Sequence, residues 1–315
     1  MEVAALRFIG SGFVAASVGL LLLPVLFDVA PKRALLRWSA ALALGRVLVG
    51  FLALYETARA VIPSGDFGFA EIVHFVRSTH VGTAWLFAQS IAALFAGLAL
   101  LTALQNRCSK TGPIGLLVLG GATLAVTPLT GHVLSDELPL YVRPVFFLHA
   151  LAALLWFGGL WAIIAGIRTA GAHDSGRAML AARRFSRLAQ IAMAIVIISG
   201  VMLVLEGVGS WSRLFATPYG MGILLKVALL AGALLVALRL MLRLRKAATS
   251  EGFRSHSYFR WALLEGALAS GALFMAAWIA TQTPALHASE IVWPLPFRLS
   301  YAATWANGWD AWATA

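Results

Sequence analysis

The residues of this 315-residue chain best suited to chemistry are its seven histidines, and they are unevenly placed. A neutral imidazole exchanges protons near neutral pH and is the commonest protein ligand for copper, zinc, iron and nickel. On the sidedness derived below, His74, His80, His132, His149 and His287 fall on one face of the chain or at helix ends directed to it. His173 and His256 lie in basic polar loops on the other face, where a solvated histidine is ordinary. His132 closes one apolar run and His149 opens the next across a short turn. An antiparallel hairpin therefore brings the two imidazoles to one depth. His80 opens an earlier run at that level, and His287 follows the last one. Taken singly, each has an ordinary structural use as a hydrogen-bonding group. A pair of imidazoles inside a membrane boundary is costly unless it binds something. His132 and His149 are thus the expected core of a metal site, with His80 or His287 completing it.

Other donors are sparse. Cys108 is the single cysteine, so neither a disulfide framework nor a thiolate cluster forms within the chain. Asp136 and Glu137, in the turn between His132 and His149, can attract cations, although a solvated loop is their default reading. Met202, Met221 and Met275 offer soft thioethers, for which core filling is the ordinary use. Arg46, Lys226 and Glu265 interrupt apolar runs, each at an insertion cost of about 2.5–3.5 kcal/mol if left alone. Arg46 and Glu265 have similar depth, which predicts an ion pair between the second and eighth runs. No His-Glu-x-x-His pattern, phosphate-binding glycine loop or Ser/His/Asp arrangement is present, so no enzyme is expected.

The elements that hold these groups are membrane helices. Hydrophobic residues make up 61% of the chain and charged ones 12%, too few to cover a soluble domain. About eight runs approach the twenty or so residues that cross a bilayer core, at 6–27, 36–60, 80–104, 113–134, 145–167, 185–206, 219–242 and 259–281. The fold class is all-α, a polytopic bundle. The first run is too long for a signal core and is expected to remain as a helix. The net charge of +11 is not gathered into a nucleic-acid face. Lys32, Arg33 and Arg37, then Arg107 and Lys110, then the arginines of 168–187, then those of 239–260 occupy alternate connections. By the positive-inside rule these are cytoplasmic and both termini periplasmic. Two external connections read as short interfacial helices: 69–78, with Phe69, Ile72, Val73 and Val76 on one face, and 207–218. The division expected is a membrane half at 1–142, a second at 143–285 and an aromatic periplasmic tail at 286–315.

The segment from His149 to Trp156-Phe157-Gly158-Gly159-Leu160-Trp161 resembles the signature of the copper-resistance D (CopD) membrane proteins. Phe185-Ser186-Arg187, Ser199-Gly200, Thr217-Pro218-Tyr219-Gly220, Leu224-Leu225-Lys226, Glu265 and Thr283-Pro284-Ala285 follow in the family's order. The resemblance covers about 145–285 and reaches the first half through helix count and Thr130-Gly131-His132. In many members an acidic residue stands four before the fifth-helix histidine; here it is Val145. The resemblance implies a bacterial inner-membrane protein that moves copper from periplasm to cytoplasm beside a small periplasmic CopC-like copper-binding protein. Histidine placement by itself says only that a metal site faces outward. A haem-binding electron carrier is the alternative, though its paired histidines normally lie deep in a four-helix core. A copper sensor or assembly factor without transport is a further one.

Overall fold

The computed structural model describes residues 2–62, 67–105, 112–126, 141–170, 175–246 and 255–285. Ten helices order them: α1 (Glu2–Phe27), α2 (Arg33–Val61), α3 (Phe69–Ser78), α4 (His80–Leu104), α5 (Gly112–Val126), α6 (Val142–Ala170), α7 (Ser175–Val208), α8 (Trp211–Ala216), α9 (Pro218–Lys246) and α10 (Ser255–Ile279). Among the described residues there is no strand. A chain in lipid has no water with which to satisfy its backbone, so helices that satisfy it internally are the expected outcome.

Seven of these helices are long and apolar enough to cross a membrane: α1, α2, α4, α6, α7, α9 and α10. The fourth predicted run, 113–134, is described only as the shorter apolar α5, and its remainder with His132 lies outside the described residues. The predicted starts and ends are otherwise close, with one large difference. α7 begins at Ser175 rather than near 185 and has 34 residues. At 1.5 Å per residue it is about 50 Å long, well beyond a bilayer core of about 30 Å. The excess is its basic first part, which carries Arg177, Arg183, Arg184 and Arg187.

α6 is the axis of the bundle. Two thirds (67%) of its membrane window is buried, against 17% for α9. It packs on α1, α5, α7 and α10, so one core runs through both halves of the chain. Small residues make those approaches possible. A Cβ added at Gly158 would fall on the Ala15 carbonyl of α1, and one added at Gly19 would fall on the Gly158 carbonyl. Helices without a hydrophobic driving force between them associate through such close backbone contact. α1 and α2 are joined by a reciprocal serine clasp. Ser17 Oγ donates to the Ser39 carbonyl (2.8 Å), Ser39 Oγ donates to the Ser17 carbonyl (3.1 Å), and both are fully buried.

The helix ends define two sides. Arg7, in the first turns of α1, donates to the Ala280 carbonyl just beyond α10 (3.1 Å). At the other end of α1, Arg184 donates to the Val25 and Leu26 carbonyls and pairs with Asp28 at 3.7 Å. Cations satisfying last-turn carbonyls also oppose the negative end of the helix dipole. α3 matches the predicted short helix, but its buried residue is Phe75, packed with Leu54, Ala58 and Trp85, while Phe69 is exposed. The cause is the turn into α4. Gly82 lies against the Val76 backbone, which rolls α3 back onto α2 and α4.

Candidate metal centre

α6 carries His149 about two turns from its periplasm-directed start as read from the sequence. The segment after it explains why the ring is held. Gly158 meets α1, Gly159 meets the Phe185 ring of α7, and Trp161 covers Gly266 of α10. The Trp-x-Gly-Gly-Leu-Trp pattern is thus a packing device that fixes α6 against three neighbours.

The imidazole of His149 is directed at α7. Its Nδ1 lies 3.0 Å from Ser199 Oγ. Gly200 leaves room for the ring, because a Cβ there would stand 3.3 Å from Cε1. The Ser199 hydroxyl carries one proton and hydrogen-bonds to the Ile195 carbonyl one turn back, with the Val196 carbonyl also in reach. Carbonyls only accept, so Ser199 Oγ is left to accept from Nδ1–H. That fixes the tautomer: Nδ1 is protonated and Nε2 keeps a free lone pair. A ligand histidine is ordinarily prepared in this way, with the outer nitrogen bonded and the inner one open. Lys226, half-buried on α9, is the charge that acts on this imidazole.

Of the four predicted ligands, His149 is positioned as described. His80 is exposed at the first position of α4, where Thr79 caps the helix by accepting from the Gly82 amide (2.9 Å). α4 packs on α2, α3 and α5. His132 and His287 lie outside the described residues, as do Asp136 and Glu137. Among the described residues no three of His, Cys, Asp or Glu gather into a metal-sized group. Met202 and Met221 are exposed and Met275 is half-buried.

The predicted Arg46–Glu265 ion pair does not form. Arg46 is buried and its Nη1 donates to Gln89 Oε1 at 3.2 Å, while its Nε has no partner. Gln89 in turn donates to the Val47 carbonyl, and Trp85 donates to the Gly50 carbonyl, both at 2.8 Å. Gly50 is what lets the Gln89 amide come so close. Glu265 is instead buried on α10 where that helix packs on α6. Depth alone suggested the pair; the charges belong to different helix contacts, α2 with α4 and α10 with α6. Sequence reasoning also missed what Ser199 and Gly200 do, although their depth on the sixth run matches that of His149.

The bundle and its oriented, open-nitrogen imidazole define a polytopic helical membrane protein with a donor group in the membrane. The chain matches the family described as "Copper resistance protein D" over residues 179–279, and the "Copper resistance protein D-like, N-terminal domain" over residues 2–138. The chain belongs to the CopD family, and it is a multi-pass, copper-related membrane protein. α6 and His149 fall between the two matched stretches. "Copper transport protein CutJ" of Bacillus subtilis (strain 168) is 29% identical over 194 residues, which is 59% of this chain and 35% of that protein. The chain therefore spans about a third of that relative's length. No solved structure matches it.

Proposed function

We propose that this protein takes up copper across the bacterial inner membrane, from periplasm to cytoplasm, through an external site centred on His149 and His132. His80 or His287 completes the ligand set. The observation that carries the proposal is the His149–Ser199 contact, which leaves an imidazole lone pair open inside the boundary of a membrane bundle. Membership of the CopD family and similarity to a copper transport protein support copper as the cargo and transport rather than catalysis. Copper is supplied to the site by a CopC-like periplasmic protein. The two membrane halves, 1–142 and 143–285, work as one unit, and the tail at 286–315 lies on the periplasmic side.

Copper analysis of the purified protein, together with uptake into proteoliposomes, tests this. His149→Ala and His132→Ala should each abolish most copper binding and uptake, while His173→Ala leaves both unchanged. Wild-type stoichiometry and affinity in both of the first two variants would sink the proposed site.

A further inference from the structure

Inward of His149, α6 carries a second polar position that transport across the bundle can use. Residues seven apart return to the same helix face about 10 Å further along, so Trp156 lies directly inward of His149. Trp156 is buried, and so is Glu265 on α10, the helix that Trp161 packs against at Gly266. Both stand near the middle of their helices, and Glu265 is only 4% exposed. Among the described residues no cation pairs with it. Seven residues nearer the basic end of α10, on the same helix face, Tyr258 is buried as well. Two helix faces thus lead inward, His149 and Trp156 on α6 and Glu265 and Tyr258 on the α10 packed against it.

A carboxylate buried at mid-membrane without a counter-ion is expensive, and such residues mark ion pathways. An ionised carboxylate offers about four acceptor positions, and among the described residues no side chain donates a hydrogen bond to Glu265 within ordinary distance. Those positions can bind a cation, and the packing of α10 on α6 holds the group in place for it. We infer that Glu265 is a second cation station, which receives the copper ion from the His149 site on its way inward. The inference rests on the transport proposal for His149, and its first test does not depend on transport.

A carboxyl-directed hydrophobic reagent, dicyclohexylcarbodiimide, is applied to the full chain in detergent with and without copper, in Cu(I) and Cu(II) arms. Modification of residue 265 is followed by mass spectrometry. Copper in at least one arm should slow modification of Glu265, and magnesium should not. Absence of modification, or an unchanged rate in both copper arms, overturns the inference. In proteoliposomes, Glu265→Gln keeps the side chain's size but lacks the charge, so it should bind copper at His149 with wild-type affinity and lose uptake. Wild-type uptake in Glu265→Gln also overturns it. If the unaltered protein moved no copper, the transport proposal would fail while the protection assay still decided whether Glu265 holds the ion.

Discussion

The Nδ1 atom of His149 lies 3.0 Å from a Ser199 hydroxyl whose own proton is engaged by the α7 backbone. One serine thereby selects the imidazole tautomer and leaves Nε2 as the nitrogen able to bind a metal. Ser199→Ala removes the acceptor and leaves both ring nitrogens open to either tautomer. Copper affinity should fall by about 10–100-fold, the usual cost of losing the partner behind a ligand histidine, with little change in thermal stability. A competition titration against a chromophoric chelator measures it. Equal affinities would remove Ser199 from any positioning role.

The α1–α6 crossing should be the least tolerant point in the bundle. Because a Cβ at Gly158 meets the Ala15 carbonyl, Gly158→Ala must push two backbones apart. Overpacking of this kind costs about 1–3 kcal/mol. Gly97 on α4 provides the control, since a Cβ there meets nothing within 4 Å. Gly97→Ala should be neutral or slightly stabilising through helix propensity. Thermal unfolding in detergent compares the two, and equal midpoints would contradict the crossing.

Arg46 should be coupled to Gln89 and independent of Glu265. In double-mutant cycles to alanine, the Arg46–Gln89 pair should show an interaction of about 0.5–3 kcal/mol, the range for residues sharing a hydrogen bond. Arg46 with Glu265 should be additive within about 0.5 kcal/mol, as expected for distant sites. A reversal of that pattern would restore the ion pair that depth alone suggests.

The helices were legible because membrane crossing imposes one strong requirement, a run of apolar residues of set length. Even α3 and α8 could be located, from the amphipathic stretch at 69–78 and the apolar residues near Trp211. Which side chains meet was much less legible. Depth along a helix can be counted, but rotation about its axis depends on packing, and in lipid both faces of a helix are apolar. Arg46 and Glu265 share a depth and face different neighbours. His149 and Ser199 also share a depth and do meet, because Gly159 and Gly200 let α6 and α7 close together. No periodicity in the sequence distinguishes the two cases.

At the rim of α6, just before the helix begins, the Tyr141 phenol donates to Glu206 Oε1 at 2.5 Å. The carboxylate accepts a hydrogen bond that only the neutral phenol can donate, and its charge opposes a phenolate, so the Tyr141 pKa is raised above its ordinary value. A raised value means the contact contributes fully below the usual tyrosine pKa and is lost only as pH climbs through the higher one. Glu206→Gln keeps an acceptor and removes the charge, which should return the Tyr141 midpoint toward about 10. The phenolate difference spectrum of each protein against its Tyr141→Phe counterpart gives the two midpoints. Identical midpoints would show that the Glu206 charge does not act on Tyr141.

Arg7 near the start of α1 donates to Ala280 beyond the end of α10, so these two helix ends lie on one side of the bundle. The start of α6, bearing His149, belongs to that side if successive membrane helices alternate, and the basic start of α7 belongs to the other. Arg184 supports this by capping the far end of α1. The positive-inside rule then predicts that the basic side is cytoplasmic and the His149 side periplasmic. Reporter fusions between α6 and α7 should therefore read as cytoplasmic, and fusions after residue 285 as periplasmic. The assay uses an enzyme active only in the periplasm and a fluorescent protein that folds only in the cytoplasm, each at both positions. Matching readings at the two positions would break the alternation. Opposite readings of reversed sign would place His149 on the cytoplasmic side and exclude it as the point where external copper is first bound.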